Sequence, residues 1–274
     1  MSGRYWHELR WPEFAALDGP RVVAVLPVAA IEQHGPHLPV QVDACINEGI
    51  LRAALAQVPS GLEVLALPMQ SVGKSDEHLA FPGTLTLTAE TLTRVLLELG
   101  ESVHRAGIRR LVLVNSHGGN PQVLDIVART LRIRHAMFVV NASLGRLGLP
   151  DGMFTPAELT HGIHGGDMET SVMLHLRPDL VDMSRARNFE PWTVAMAERF
   201  RILTAEGRVG FGWQTQDLHP AGACGDAGRA TAEKGAGVVS HLATRLVALW
   251  REVADYPLEA IRHQVDAEAS SGRL

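Results

Sequence analysis

Four short apolar runs constrain this chain most: residues 22–28, 63–67, 111–114 and 137–140. An uninterrupted apolar run too short for a helix predicts a strand covered on both faces. Each run is followed by a segment with helical spacing: 44–57, 89–105, 121–134 and 169–176, with a long terminal helix at 230–254. Residues 89–105 place Leu92, Val95, Leu96 and Leu99 on one face, with Thr88 as N-cap and Gly107 beyond the end. Asp43 reads as the N-cap of the first helix; Asn120, followed by Pro121, reads as that of the third. Such alternation predicts an α/β fold, a three-layer α/β/α sandwich with a mainly parallel central sheet. Two stretches, 70–87 and 189–228, break the rhythm, and loops of that length serve as lids, substrate walls or oligomer contacts. No linker or repeat divides the 274 residues, so one domain is expected, frayed from about residue 267.

Charge and cysteine usage exclude several functions. A net charge of −5 gives no electrostatic footprint for nucleic acid. Lys74 and Lys234 are the only lysines, a poor basis for Schiff-base chemistry. The first residues form no apolar signal region, no run is long enough to span a membrane, and Cys45 and Cys224 lack metal or redox spacing. A cytoplasmic protein is expected.

The thirteen histidines gather where apolar runs meet glycine-rich turns. The first run leads into Glu32-Gln33-His34-Gly35-Pro36-His37-Leu38-Pro39, with Asp43 close behind. In extended backbone, side chains at i and i+2 share a side, so Glu32 and His34 can converge on one ion, with Asp43 reaching back from the next helix. Carboxylate and imidazole together suit Zn²⁺ or Mn²⁺. The third run ends in Asn115-Ser116-His117-Gly118-Gly119-Asn120, and a further turn carries His164-Gly165-Gly166-Asp167-Met168-Glu169-Thr170-Ser171.

These three motifs, in this order from about Trp6 to about Lys234, resemble the creatininase (creatinine amidohydrolase) family. The resemblance implies two divalent ions per chain, Zn or Mn with Fe possible, and a homohexamer. It implies that Asp43 bridges the ions, with Glu32 and His117 on one and His34 on the other. Two ions about 3.5–4 Å apart can hold a bridging hydroxide and polarise a carbonyl. His164, whose counterpart in the family sits beside the scissile bond, is the expected proton shuttle.

One position departs from the family. Creatininase proper has a carboxylate two residues after the middle histidine, where this chain has Gly119. Glu169 is the expected replacement ligand, the alternative being a helix-start carboxylate complementing the dipole. Gly118 and Gly119 can bring backbone N–H groups to an oxyanion, or simply make a tight turn. His37 reads equally as ligand or as loop support. Glu77 and His78 are read as shaping the pocket or a subunit boundary. Trp192 and Trp213 read as an aromatic wall over a planar ligand, an oligomer contact or a core plug.

The expected function is metal-dependent hydrolysis of a non-peptide C–N bond in a small cyclic amide. A formamide hydrolase acting on a pyrimidine intermediate and a peptidase of a peptide-derived redox cofactor are the alternatives that Gly119 keeps open. A silent metal-binding scaffold is the contrasting reading, although structural zinc more often takes cysteine-rich coordination.

Overall fold

The computed structural model describes residues 4–207 and 209–262; the expected frayed tail lies outside them. Five parallel strands form the central sheet: β1 (Arg4–Tyr5), β2 (Val23–Val28), β3 (Val64–Ala66), β4 (Arg110–Asn115) and β5 (Phe138–Ser143), in the order β1-β3-β2-β4-β5. β2 and β4 are buried along their whole length, β2 apolar throughout and β4 apolar between Arg110 and Asn115. Their side chains alternate between two cores. Val23, Val25, Val112 and Val114 pack toward α2 (Val42–Leu55), α6 (Asp167–Leu176) and α9 (Ala232–Asp255). Ala24, Leu26, Leu111 and Leu113 pack toward α3 (Ala89–Arg105) and α4 (Pro121–His135). The result is the three-layer α/β/α arrangement.

The remaining helices are α1 (Trp11–Ala15), α5 (Pro156–His161), α7 (Trp192–Arg199) and α8 (Thr215–Leu218); β6 (Asn188–Phe189) and β7 (Gly225–Asp226) form a small antiparallel pair. α7, α8, β6 and β7 lie in the stretch 189–228 or overlap its edge, so that stretch is not a bare loop. Its strands and helices are too short for periodicity to register.

Two caps differ from expectation. Thr88 does cap α3, accepting from the Thr91 amide. Asp43 instead lies in the first turn of α2, whose N-cap is Gln41. Asn120 makes no cap bond; its side chain bonds Ala29, Asn115 and Lys74 instead. Both residues serve the strand ends rather than their own helices.

The sheet order determines where a ligand can go. β3 lies on one side of β2 and β4 on the other, so the chain reverses direction at β2. The crevice beyond the carboxyl ends of such strands is the usual binding site of open α/β sheets.

Candidate metal centre

Segments following β2, β3 and β4, the first turn of α2 and the loop into α6 converge on that crevice. The tautomer of each histidine follows from which ring nitrogen is occupied. His34 Nδ1 donates to the Glu32 carbonyl at 3.0 Å, leaving the Nε2 lone pair 3.7 Å from Asp43 Oδ1 and 3.9 Å from Glu169 Oε2. His117 is held the other way round. Its Nε2–H donates to the Lys74 carbonyl at 2.8 Å, so Nδ1 faces Glu32 Oε1 at 3.2 Å and Asp43 Oδ2 at 3.4 Å. Anchoring one nitrogen to a carbonyl is how proteins orient the other toward a metal.

Glu32 Oε2, His34 Nε2 and Asp43 Oδ2 are buried without hydrogen-bond partners. Leaving such atoms unpaired is costly, and a cation removes the cost. Bonds of about 2.0 Å at tetrahedral angles put ligand atoms roughly 3.3 Å apart, close to the separations around His117. Two groups of ligand atoms fit an ion: His34, Asp43 and Glu169 on one side, and Glu32, Glu77 and His117 on the other. Asp43 turns one oxygen to each side. Glu32 and His34 also lie within one group with His164, as their i, i+2 spacing allows, yet their shortest contacts are to different partners.

The electrostatics match a site built for cations. Burial disfavours the charged form of His34, but Asp43, Glu169 and Glu32 outweigh it and raise its pKa to about 9. Burial likewise opposes the charge on Asp43, and His117 and His34 hold its carboxyl well below the ordinary range. Burial lifts Glu169 to about 7 despite His34.

His164 differs from its neighbours. Its Nε2–H donates to the Gln33 carbonyl at 2.7 Å, and Nδ1 faces the centre, 3.9 Å from Glu32 Oε1. Burial, then the charges of His34 and His78, hold its pKa well below the usual value. It is a neutral imidazole with a lone pair turned inward.

The Gln33 side chain knits this region together. Its amide donates to the Gly222 carbonyl and to His78 Nδ1, each at 2.8 Å, while its oxygen accepts from the Gly35 amide. His78 therefore carries its proton on Nε2, directed at Glu32 Oε1 3.2 Å away. Gln33 was not singled out in the sequence, although it stands inside the first motif.

Other candidates fall elsewhere. His37 belongs to no ligand group among the described residues. Its Nε2 hydrogen-bonds Thr170 Oγ1 at 2.9 Å and its ring stacks on Phe189, so it supports the loop. Glu77 and His78 line the cavity, as the pocket-shaping reading expected, and reach the centre itself. Their acid–imidazole pair beside a glycine-rich turn carried the same signal as the three motifs. Trp213 lines the cavity, with its indole N–H on the Ala205 carbonyl. Trp192 is 46% exposed at the start of α7 and is absent from the cavity lining. The cavity measures ≈ 1010 Å³; Glu32, His117, His164 and Glu169 form its floor, and Arg146 and Trp213 line it farther out.

Known proteins resemble this chain in sequence and in fold. The family model for creatininase (creatinine amidohydrolase) matches residues 7–250. The mycofactocin precursor peptide peptidase of Mycobacterium ulcerans (strain Agy99) is 32% identical over 225 residues, 80% of each chain. The creatinine amidohydrolase of Pseudomonas putida is 31% identical over 71% of this chain and 80% of its own. A solved mutant creatininase of Zn-Zn type superposes with a TM-score of 0.73 at 27% identity, covering 92% of this chain and 98% of that one. The chain belongs to the creatininase family and is a metal-dependent amidohydrolase.

Proposed function

We propose that this chain hydrolyses an amide C–N bond using two divalent ions, zinc or manganese, with iron compatible with the same donors. Glu32 and His117 would hold one ion and His34 and Glu169 the other, with Asp43 offering one oxygen to each side. The observation that carries this reading is the convergence of buried, unpartnered ligand atoms on Glu32, His34 and Asp43. Bound there, the ions supply Lewis acidity and an activated water.

The chain's own groups do the rest. His164 Nδ1, neutral and facing the centre, accepts a proton and returns it to the leaving nitrogen. Gly118 and Gly119 line the cavity at the head of α4, where backbone N–H groups and the helix dipole favour a developing oxyanion. Trp213 walls the substrate from the outer side. His164 is not required for holding metal, which argues against a silent scaffold.

The cavity volume bears on the substrate. At ≈ 1010 Å³ it stands at the upper end of ligand pockets (roughly 300–1,000 Å³), more space than one small ring fills. A short peptide suits it, in line with the mycobacterial peptide peptidase among its relatives. A small cyclic amide is the second reading, supported by the family description and the Pseudomonas relative. Incubation of metal-replete protein with short peptides, lactams, cyclic ureides and formamides decides between them. Cleavage of a peptide with creatinine turnover absent or far slower is the expected result. Fast interconversion of creatinine and creatine would overturn the peptide reading.

The same proposal includes a single catalytic unit, a cytoplasmic location and a homohexamer. No helix among the described residues is long and apolar enough to cross a membrane. Light scattering on the purified protein tests the assembly.

A further inference from the structure

Gly119 lacks the carboxylate that the family resemblance leads one to expect, and the space beside it is filled from another part of the chain. A Cβ at Gly119 would lie 2.3 Å from the Lys74 carbonyl oxygen, 2.5 Å from His117 Nε2 and 2.6 Å from Glu77 Oε1. Two of those three atoms belong to backbone or to an anchored ring, so turning Glu77 aside would not make room. In this fold a side chain at 119 and the segment 74–77 exclude one another.

That segment is fixed from outside the metal centre. The Lys74 amide donates to Asn120 Oδ1 at 3.0 Å, the Ser75 amide to Thr86 Oγ1 at 2.8 Å, and Thr215 Oγ1 to the Glu77 carbonyl at 3.0 Å. The anchors bring Glu77 Oε1 to 3.2 Å from His117 Nε2. This is the ring nitrogen opposite the one that faces Glu32 and Asp43. The Nε2–H already bonds the Lys74 carbonyl, and a carboxylate beside it as a second acceptor makes the near nitrogen a better donor to a metal.

We propose that Glu77 is a positioning residue for the ion at His117, and that the bare Gly119 is what admits it. The carboxylate lost at position 119 is thus matched by one that acts through the imidazole, in addition to the ligand provided by Glu169. The inference rests on the two-ion reading above.

Zn²⁺ affinity measured by chelator competition on metal-loaded protein tests it, using the wild type, Glu77→Gln, Glu77→Ala, Gly119→Ala and the double variant Glu77→Ala/Gly119→Ala. Glu77→Ala is expected to weaken one of the two ions by about 10–100-fold while the other is unchanged, with Glu77→Gln intermediate. The cobalt-substituted Glu77→Gln protein is expected to show a shifted absorption band. Gly119→Ala should weaken the same ion with or without Glu77, because its Cβ also meets the Lys74 carbonyl and the His117 ring. Should Gly119→Ala not fold, the two Glu77 variants decide alone. Unchanged ion affinities in Glu77→Ala, with only turnover altered, would make Glu77 a substrate contact and overturn the proposal. Unchanged ion affinity in Gly119→Ala would overturn the requirement for a bare Gly119. Wild-type protein that binds fewer than two ions would instead overturn the two-ion reading itself.

Discussion

Three histidines in this centre are given different tasks by one backbone contact each. Carbonyl oxygens occupy Nδ1 of His34 and Nε2 of His117 and of His164, and the free nitrogen of each follows. Those of His34 and His117 lie within 4 Å of Asp43; that of His164 faces Glu32 at 3.9 Å. His164→Asn keeps a polar side chain but cannot exchange protons near neutrality. It should fold and retain its ions while turnover of the substrate falls by about 10²–10⁴-fold; loss of metal would make His164 a ligand instead. Glu169→Gln should weaken the ion at His34 more than that at His117 in a metal titration, and full retention of both would leave Glu169 as a helix-start carboxylate. The ligand types were legible in the sequence because the motifs concentrate them. Their hydrogen-bond partners were not, since Lys74 lies 43 residues from His117 and Gln33 lies 131 from His164.

At the level of elements, β2, β3 and β4 were readable because burial on both faces keeps the middle of each run apolar, whereas the two-residue β1 was not foreseen. α3 was readable because one face is apolar and Thr88 caps it. α1, α5, α7, α8, β6 and β7 were missed: each is eight residues or fewer and is held by tertiary contacts. Glu158 on α5 shows how. Its buried carboxylate accepts from the Asp167 amide at the head of α6 (2.6 Å) and the Asp226 amide of β7 (2.9 Å). It thereby braces the turn between His164 and Glu169, and Gly162, Gly166 and Gly225 leave no room for side chains around it. Burial raises its pKa, yet the two amides depend on it. Glu158→Ala leaves both without that acceptor, at about 1–3 kcal/mol for each group unsatisfied. Thermal melting should fall accordingly, by about 2–4 °C per kcal/mol in a chain of this size. An unchanged melting temperature would mean that water replaces the carboxylate.

Across the whole molecule, strand order and chemistry coincide. The reversal at β2 opens a crevice into which the segments after β2, β3 and β4 each deliver a carboxylate or an imidazole. The layered fold was legible from the sequence, and so was the location of the chemistry at strand ends. The cavity was not, because its walls come from segments as distant as Arg146 and Trp213, brought together only by packing. What this packing is proposed to build is a two-ion centre bridged by one aspartate. Elemental analysis of dialysed, active protein tests it most directly, with Asp43→Ala measured alongside. Two divalent ions per chain in the wild type, and the loss of both in the variant, are the expected result. One ion or none in active wild-type protein, or two ions retained in Asp43→Ala, would contradict it.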